Sequence, residues 1–191
     1  MKTLALAAAC ALIAAPAFAQ SSMPSGGQKP APRANQAQQP MGGPATSGVA
    51  SSPATADFVK KAAISDMFEI QSSKLAQQKA DAQSKRFAGD MVKDHSKTTS
   101  ELKSLVQKGG VQAQLPTALD AEHQQKLDQL KSASGADFDR MYDTMQKQAH
   151  QDAVAMFQSY AANGDNPQLK RWAAKTLPHL QNHLKKADNL K

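Results

Sequence analysis

The chain has 191 residues, 40% of them hydrophobic and 5% aromatic, and its 23 basic and 16 acidic side chains give a formal net charge of +7. This length allows one modest domain and excludes a large multidomain enzyme. The charge is divided into +1 in residues 1–19, +2 in residues 20–56 and +4 in residues 57–191, where basic residues are dispersed among acids. We therefore predict no nucleic-acid partner, and keep an envelope polyanion or another protein as the partner class.

Residues 1–19 have the pattern of a cleaved export signal. Lys2 precedes an apolar stretch over residues 4–15, and Ala17 and Ala19 suit cleavage by signal peptidase. The stretch is shorter than the roughly 20 residues that a membrane-spanning helix needs, although a short N-terminal anchor remains an alternative. Cys10 leaves with the signal, so the mature protein would contain no disulfide, thiolate metal site or cysteine nucleophile. The sequence thus predicts a periplasmic protein without a transmembrane segment.

Residues 20–56 are predicted to be a disordered leader. They contain six of the ten prolines and five of the ten glycines, no aromatic residue, and only Lys29 and Arg33 as charged residues. Such a composition offers too little apolar surface to offset the entropy lost on ordering the chain. The folded domain is therefore expected to comprise residues 57–191.

Five helices are predicted in this domain, and no segment has the alternation typical of strands. They are expected at residues 57–80, 84–108, 121–131 with Asp120 as the cap, 136–162 and 167–189. Gly109 and Gly110 end the second helix, while Asn166 caps the last one and Pro167 takes its first position. Four long helices and one short helix in the only long connection predict an antiparallel four-helix bundle.

The fourth helix carries an apolar row at the helical spacing of three and four residues, which is expected to face the core. Its members are Phe138, Met141, Met145, Ala149, Ala153, Met156 and Tyr160. His150 lies one position beside this row.

Each long helix can offer one metal ligand to a common level near the middle of the bundle. Glu69 lies 13 residues before the turn near Ala82 and His95 lies 13 residues after it, so the two are expected at one level. His150 and His183 fall within about one helical turn of that level on the last two helices. These four residues form the candidate site, with His179 as a reserve ligand.

A metal held there is expected to be a single divalent ion such as zinc, copper or nickel, because imidazole suits these ions. Three residues before the histidines stand Val92, Lys147 and Leu180, so the Glu-x-x-His pattern of carboxylate-bridged di-iron proteins is missing. Asp66 and Asp94 are expected to accept hydrogen bonds that fix histidine tautomers. A metal-free alternative stays open, in which the buried histidines simply hydrogen-bond to carboxylates, for example to Glu69 across the core.

Five runs of residues resemble the DUF4142 family of exported bacterial proteins. They are Phe58–Ala63, Met91–His95, Leu119–Gln124, Phe138–Tyr142 and Leu177–Leu184, and the resemblance extends over essentially all of residues 57–191. It implies a ferritin-like helical bundle of undefined biochemical function, and therefore supplies no reaction.

No catalytic motif is recognisable, since a Gly-x-Ser-x-Gly nucleophile elbow, a phosphate-binding loop and a zinc-protease motif are all missing. We predict no catalytic residue, which favours a non-catalytic role without deciding it. The leading hypothesis is an exported envelope protein that acts as a binding or stress-associated helical bundle. The alternative is a metal-binding or redox bundle centred on the glutamate and histidines.

Overall fold

A computed structural model describes residues 53–190 of the chain; the predicted export signal and residues 20–52 of the predicted leader lie outside this range. The described part is all-helical, without a strand. Its five α-helices are α1 (Pro53–Lys79), α2 (Ala82–Lys108), α3 (Ala121–Ser132), α4 (Gly135–Asn163) and α5 (Pro167–Ala187). None of them combines the length and apolar character needed to cross a membrane.

Most helix ends follow local capping chemistry. Asp81 accepts hydrogen bonds from the backbone of Gln83 and Ser84 at the start of α2. Asp120 caps α3, and Asn166 caps α5 with Pro167 at the first helical turn, as predicted. These side chains satisfy backbone N–H groups that have no partner within the helix. Gly110 and Gly135 have positive φ angles, a conformation in which a residue with a side chain would be strained.

The start of α1 differs from the prediction, because the helix begins at Pro53 rather than at Asp57. Pro53 favours the first position of a helix, since it lacks the N–H that would be unsatisfied there. The buried hydroxyl of Thr55 hydrogen-bonds to Tyr160 and donates to Asp165. The sequence predicts residues 53–56 as part of the leader. In the structure they belong to the folded domain, because Thr55 makes this tertiary contact.

The four long helices contact one another in a closed cycle. α1 packs against α2 and α4, and α5 packs against α4 and α2, while α3 lies on α1 and α4. A cycle of four helices encloses an interior to which each can contribute side chains.

Two apolar clusters fill this interior. The Trp172 cluster includes Phe58, Leu102, Phe157, Tyr160, Leu169, Trp172 and Leu180. The Phe138 cluster includes Phe68, Phe87, Met91, Leu130, Phe138, Tyr142 and Ala187. Along α2, α4 and α5 the residues between the two clusters include His95, His150 and His183, so a polar layer separates the clusters.

The predicted core row of α4 is wrong by one position over part of its length. Met141, Met145, Ala149 and Met156 are only partly buried. Phe138, Ala153 and Tyr160 are buried as predicted, and the other buried residues are Tyr142, Gln146, His150 and Phe157. Two adjacent rows of α4 carry apolar residues, and the larger aromatic rings occupy the interior while the methionines lie at its edge.

Asp143 of α4 is a partly buried acid that contacts the start of α2. It accepts a hydrogen bond from the Ser84 hydroxyl, but its second carboxylate oxygen is buried without a partner. Burial raises the pKa of Asp143 to about 6, and the negative charges of Asp81 and Asp139 add to the increase. The ionised form therefore destabilises the fold at neutral pH.

We expect Asp143→Asn to raise the melting temperature by roughly 2–4 °C at pH 8. The gain should vanish near pH 4. The cost of ionising Asp143 in the fold develops only as the pH rises from the pKa of this group in the unfolded chain to its higher pKa in the folded protein. Circular dichroism melts at both pH values measure the difference. A gain of equal size at pH 4 would show that charge is not its cause.

Candidate metal centre

Three histidines from three helices meet in the polar layer. The rings of His95 on α2, His150 on α4 and His183 on α5 form a nearly equilateral triangle. Their centroids are 5.6 Å apart for His95–His150, 5.6 Å for His95–His183 and 5.4 Å for His150–His183. One ring nitrogen from each residue lies within 4.8 Å of the other two, and the residues are only 3%, 1% and 3% exposed.

The outer nitrogen of His95 is held by a buried carboxylate. His95 Nδ1 donates to Asp66 Oδ1 at 2.8 Å. The other oxygen of Asp66 accepts from the hydroxyls of Thr98 at 2.8 Å and Thr99 at 3.2 Å. Because Asp66 is fixed on both oxygens, it fixes the His95 ring and its tautomer.

The other two histidines are anchored in the same manner by different acceptors. His183 Nε2 donates to Asp94 Oδ2 at 3.0 Å, and His150 Nδ1 donates to the backbone carbonyl of Gln146 at 2.8 Å. The predicted acceptor roles of Asp66 and Asp94 are confirmed as hydrogen bonds to these histidines. In the neutral form of each ring the outer nitrogen carries the proton and the remaining nitrogen presents a lone pair.

The remaining nitrogens have no hydrogen-bond partner in the described part of the chain. They are His95 Nε2, His150 Nε2 and His183 Nδ1, and all three are buried. Both carboxylate oxygens of Glu69 are likewise buried without a hydrogen bond of good geometry, although the Gln146 side chain lies close enough to lower the Glu69 pKa. With Gln146 Oε1, six buried polar atoms of the layer have no such hydrogen bond, which is unusual because native proteins satisfy the large majority of these groups.

Burial and neighbouring charge set the protonation of this layer. Burial lowers the pKa of His150 to about 3, and the charge of His95 adds to the decrease. Burial also lowers the pKa of His183, against the opposing effect of Asp94. For His95, burial lowers the pKa, but the hydrogen bond and charge of Asp66 outweigh it and the net change is an increase. His150 and His183 are therefore neutral near pH 7 and offer free lone pairs.

Glu69 on α1 lies beside this triangle and outside the group of mutually close ligand atoms. It is 1% exposed, and burial raises its pKa to about 7, with the nearby charge of His95 opposing the increase. Its carboxylate makes no hydrogen bond to a histidine, so the Glu69 pair of the metal-free alternative is not formed, whereas His95 and His183 do hydrogen-bond to other carboxylates, as that alternative holds. His179 is exposed and lies outside the layer.

Gln146 belongs to the layer and was not anticipated from the sequence. It is fully buried, its backbone carbonyl accepts from His150, and its side chain donates to the Ser72 hydroxyl at 3.3 Å. The available signal was its position four residues before His150, from which a helical carbonyl can accept a ring proton.

Two cavities adjoin the described helices. A small cleft of about 60 Å³ lies between α2 and α5 and is lined in part by His95 and His183. A much larger groove of about 930 Å³ lies between α1, α3 and α4, with Phe68, Met145 and Ala149 in its wall. Its lining includes neither Glu69 nor any of the three clustered histidines, so the larger cavity is separate from this centre.

Comparisons with known proteins identify a family and a fold. The family model described as "Domain of unknown function (DUF4142)" matches residues 40–190. No curated protein matches the chain. A crystal structure of a DUF305 fragment from Deinococcus radiodurans is similar, with a TM-score of 0.62 and 13% identity, covering 73% of this chain and 95% of that one. At this identity the similarity concerns the helical fold alone.

Proposed function

The chain belongs to the DUF4142 family, whose description assigns no function, and we propose that it is an exported protein that binds one divalent metal ion. The direct ligands are His95, His150 and His183. Glu69 supplies a negative charge beside the ion rather than a required fourth ligand. The ferritin-like four-helix bundle is part of this proposal and is supported by the cyclic packing of α1, α2, α5 and α4.

The observation that carries the proposal is the set of three buried, unpaired ring nitrogens whose outer partners are already engaged. A single water molecule has two protons and cannot satisfy all three ring nitrogens. A cation at the centre of the triangle can bind one lone pair from each ring at once, with the charge of Glu69 beside it. Hydrogen bonds from the outer nitrogens to acceptors are also what metal-binding histidines usually make.

The surrounding charges suit a doubly charged ion. Asp66 and Glu69 are buried, and Asp94 hydrogen-bonds to His183 from a partly exposed position. Three carboxylates around three imidazoles offset a divalent cation that would otherwise be costly to bury, and on His95 the ion would take the place of a ring proton.

Three imidazoles with few carboxylate ligands favour zinc, with copper and nickel as the other ions of this class. Magnesium and calcium prefer sets of oxygen ligands, and a di-iron centre needs more carboxylates than this layer holds. Zinc has no redox chemistry of its own, whereas copper would also permit redox reactions. An envelope polyanion or protein partner is a separate prediction, on which the site has no bearing.

A titration of the metal-free full chain with zinc, copper, nickel and magnesium tests the proposal. We expect about one zinc ion per chain, no magnesium, and loss of tight binding in His150→Ala, which removes a ligand. His123→Ala is the matched control, because His123 is partly exposed on α3 and bonds to Asp120 away from the layer. Calorimetry gives the stoichiometry. Absence of zinc, copper and nickel binding, or equal binding by both variants, would refute the proposal.

A further inference from the structure

The cleft between α2 and α5 borders the histidine triangle. His95 and His183 belong to its wall and His150 and Glu69 do not, so the cleft adjoins the centre on one side, next to two of the three proposed ligands. The unpaired nitrogens of the two wall histidines belong to the proposed ligand set. Three imidazoles leave a fourth position of a tetrahedral ion open to an external ligand.

The size of the cleft restricts what can enter. Its volume is about 60 Å³, which accommodates a few water molecules. A drug-sized or metabolite-sized molecule requires a cavity of roughly 300 Å³ or more. A ligand that reaches the ion by this route therefore has only a few non-hydrogen atoms.

The cleft is lined by two acids and two lysines, and its unengaged polar groups are donors. Its two acids are already engaged: Asp94 with His183, and Glu101 with the Trp172 indole N–H at 3.0 Å and with Lys175. Lys97 and His179 are exposed in its lining and make no hydrogen bond or ion pair within residues 53–190. The unengaged side chains of the rim are thus hydrogen-bond donors.

We propose that this cleft is the entrance to an open coordination position on the metal, and that it admits small anions of about three non-hydrogen atoms, the size of azide. The inference rests on the proposed metal site. It gives the site a ligand class, because a buried ion with an open position can bind a small anion or hydroxide directly.

The test uses the cobalt(II)-loaded full chain, because the visible absorption of cobalt(II) reports its coordination. Azide is expected to change these bands saturably, and benzoate, which is too large for the cleft, is expected to leave them unchanged. Cobalt that binds at one ion per chain without any response to azide would overturn the inference and leave the metal site standing. Failure to bind cobalt, zinc or copper would overturn both.

Variants at the cleft test the route. His179→Trp places a large ring at the exposed mouth, and Thr176→Phe fills the buried wall; at least one should keep the cobalt stoichiometry and weaken azide binding tenfold or more. Lys97→Glu should weaken azide binding by roughly threefold, while Lys103→Glu, an exposed lysine of α2 outside the cleft, should leave it unchanged. An unaltered azide response in both blocking variants would show that the anion enters elsewhere. If neither blocking variant binds cobalt, unchanged azide binding in Lys97→Glu would likewise contradict entry of the anion through the cleft.

Discussion

Replacing Glu69 by glutamine is expected to stabilise the metal-free protein by about 2–3 kcal/mol at pH 8. The Glu69 carboxylate is buried without a hydrogen-bond partner, and burial raises its pKa from 4.5 to about 7. Ionising this group in the fold therefore costs free energy that the unfolded chain does not lose. Glutamine has nearly the same shape without the charge.

The pH dependence of this effect has a definite sign. A carboxyl group with a raised folded pKa favours the fold at low pH, and this advantage is lost as the pH rises from about 4.5 to about 7. Denaturant unfolding of the metal-free chain should therefore give Glu69→Gln its largest advantage at pH 8 and almost none near pH 4. Glu122→Gln is the control, because Glu122 is an exposed acid whose removal should change stability by less than about 0.5 kcal/mol.

With zinc bound, the advantage of Glu69→Gln should shrink or reverse. The carboxylate then compensates part of the positive charge of the ion, so its removal weakens metal binding and the stabilisation that binding supplies. Unfolding curves with a chelator and with excess zinc separate the two states. If Glu69→Gln instead destabilised the metal-free protein, the carboxylate would be a satisfied structural group, as the metal-free alternative holds.

The polar layer has a stability cost that the rest of the interior does not share. On either side of it the chain packs aromatic and aliphatic side chains, as in the stacked rings of Phe58 and Tyr160 with centroids 3.9 Å apart. Continuing that packing through the layer would remove six unpaired polar atoms and a buried charge. Proteins retain such costly groups mainly where activity or binding requires them.

The sequence predicted those features that depend on local chemistry or on helical spacing. The caps at Asp120 and Asn166 follow from hydrogen bonds within a few residues, and spacing along the helices placed His95, His150 and His183 at one level. Contacts between distant segments were less accessible. The extension of α1 to Pro53 accompanies the contact of Thr55 with Tyr160, over a hundred residues away.

The orientation of α4 and of Glu69 could not be predicted for a related reason. Adjacent rows of α4 have similar apolar content, so packing against the other helices decides which row is innermost. That choice buries Gln146 and lets its carbonyl hold His150. The height of Glu69 along its helix predicted that it would lie near the histidines. That its carboxylate stays outside the triangle depends on how α1 packs against the other helices, which the sequence does not reveal.

Asp66→Asn is expected to weaken zinc binding by roughly 10- to 100-fold while the stoichiometry stays at one ion per chain. Asparagine can still accept the His95 Nδ1 proton, but it lacks the charge that makes the ring a stronger ligand and offsets the ion. Asp94→Asn should have a smaller effect, because the Asp94 side chain is 41% exposed and water screens its charge.

Competition with a chromophoric chelator measures these affinities, and thermal melts of the metal-free variants show whether the fold is intact. Asp90→Asn is the matched control, since this exposed acid lies on α2 with Asp94 and pairs with Lys186 away from the histidines. Equal zinc affinity in Asp66→Asn and Asp90→Asn would mean that Asp66 only supports the helix packing. A graded loss, largest for Asp66, smaller for Asp94 and negligible for Asp90, follows only if the buried carboxylate acts on the metal through His95.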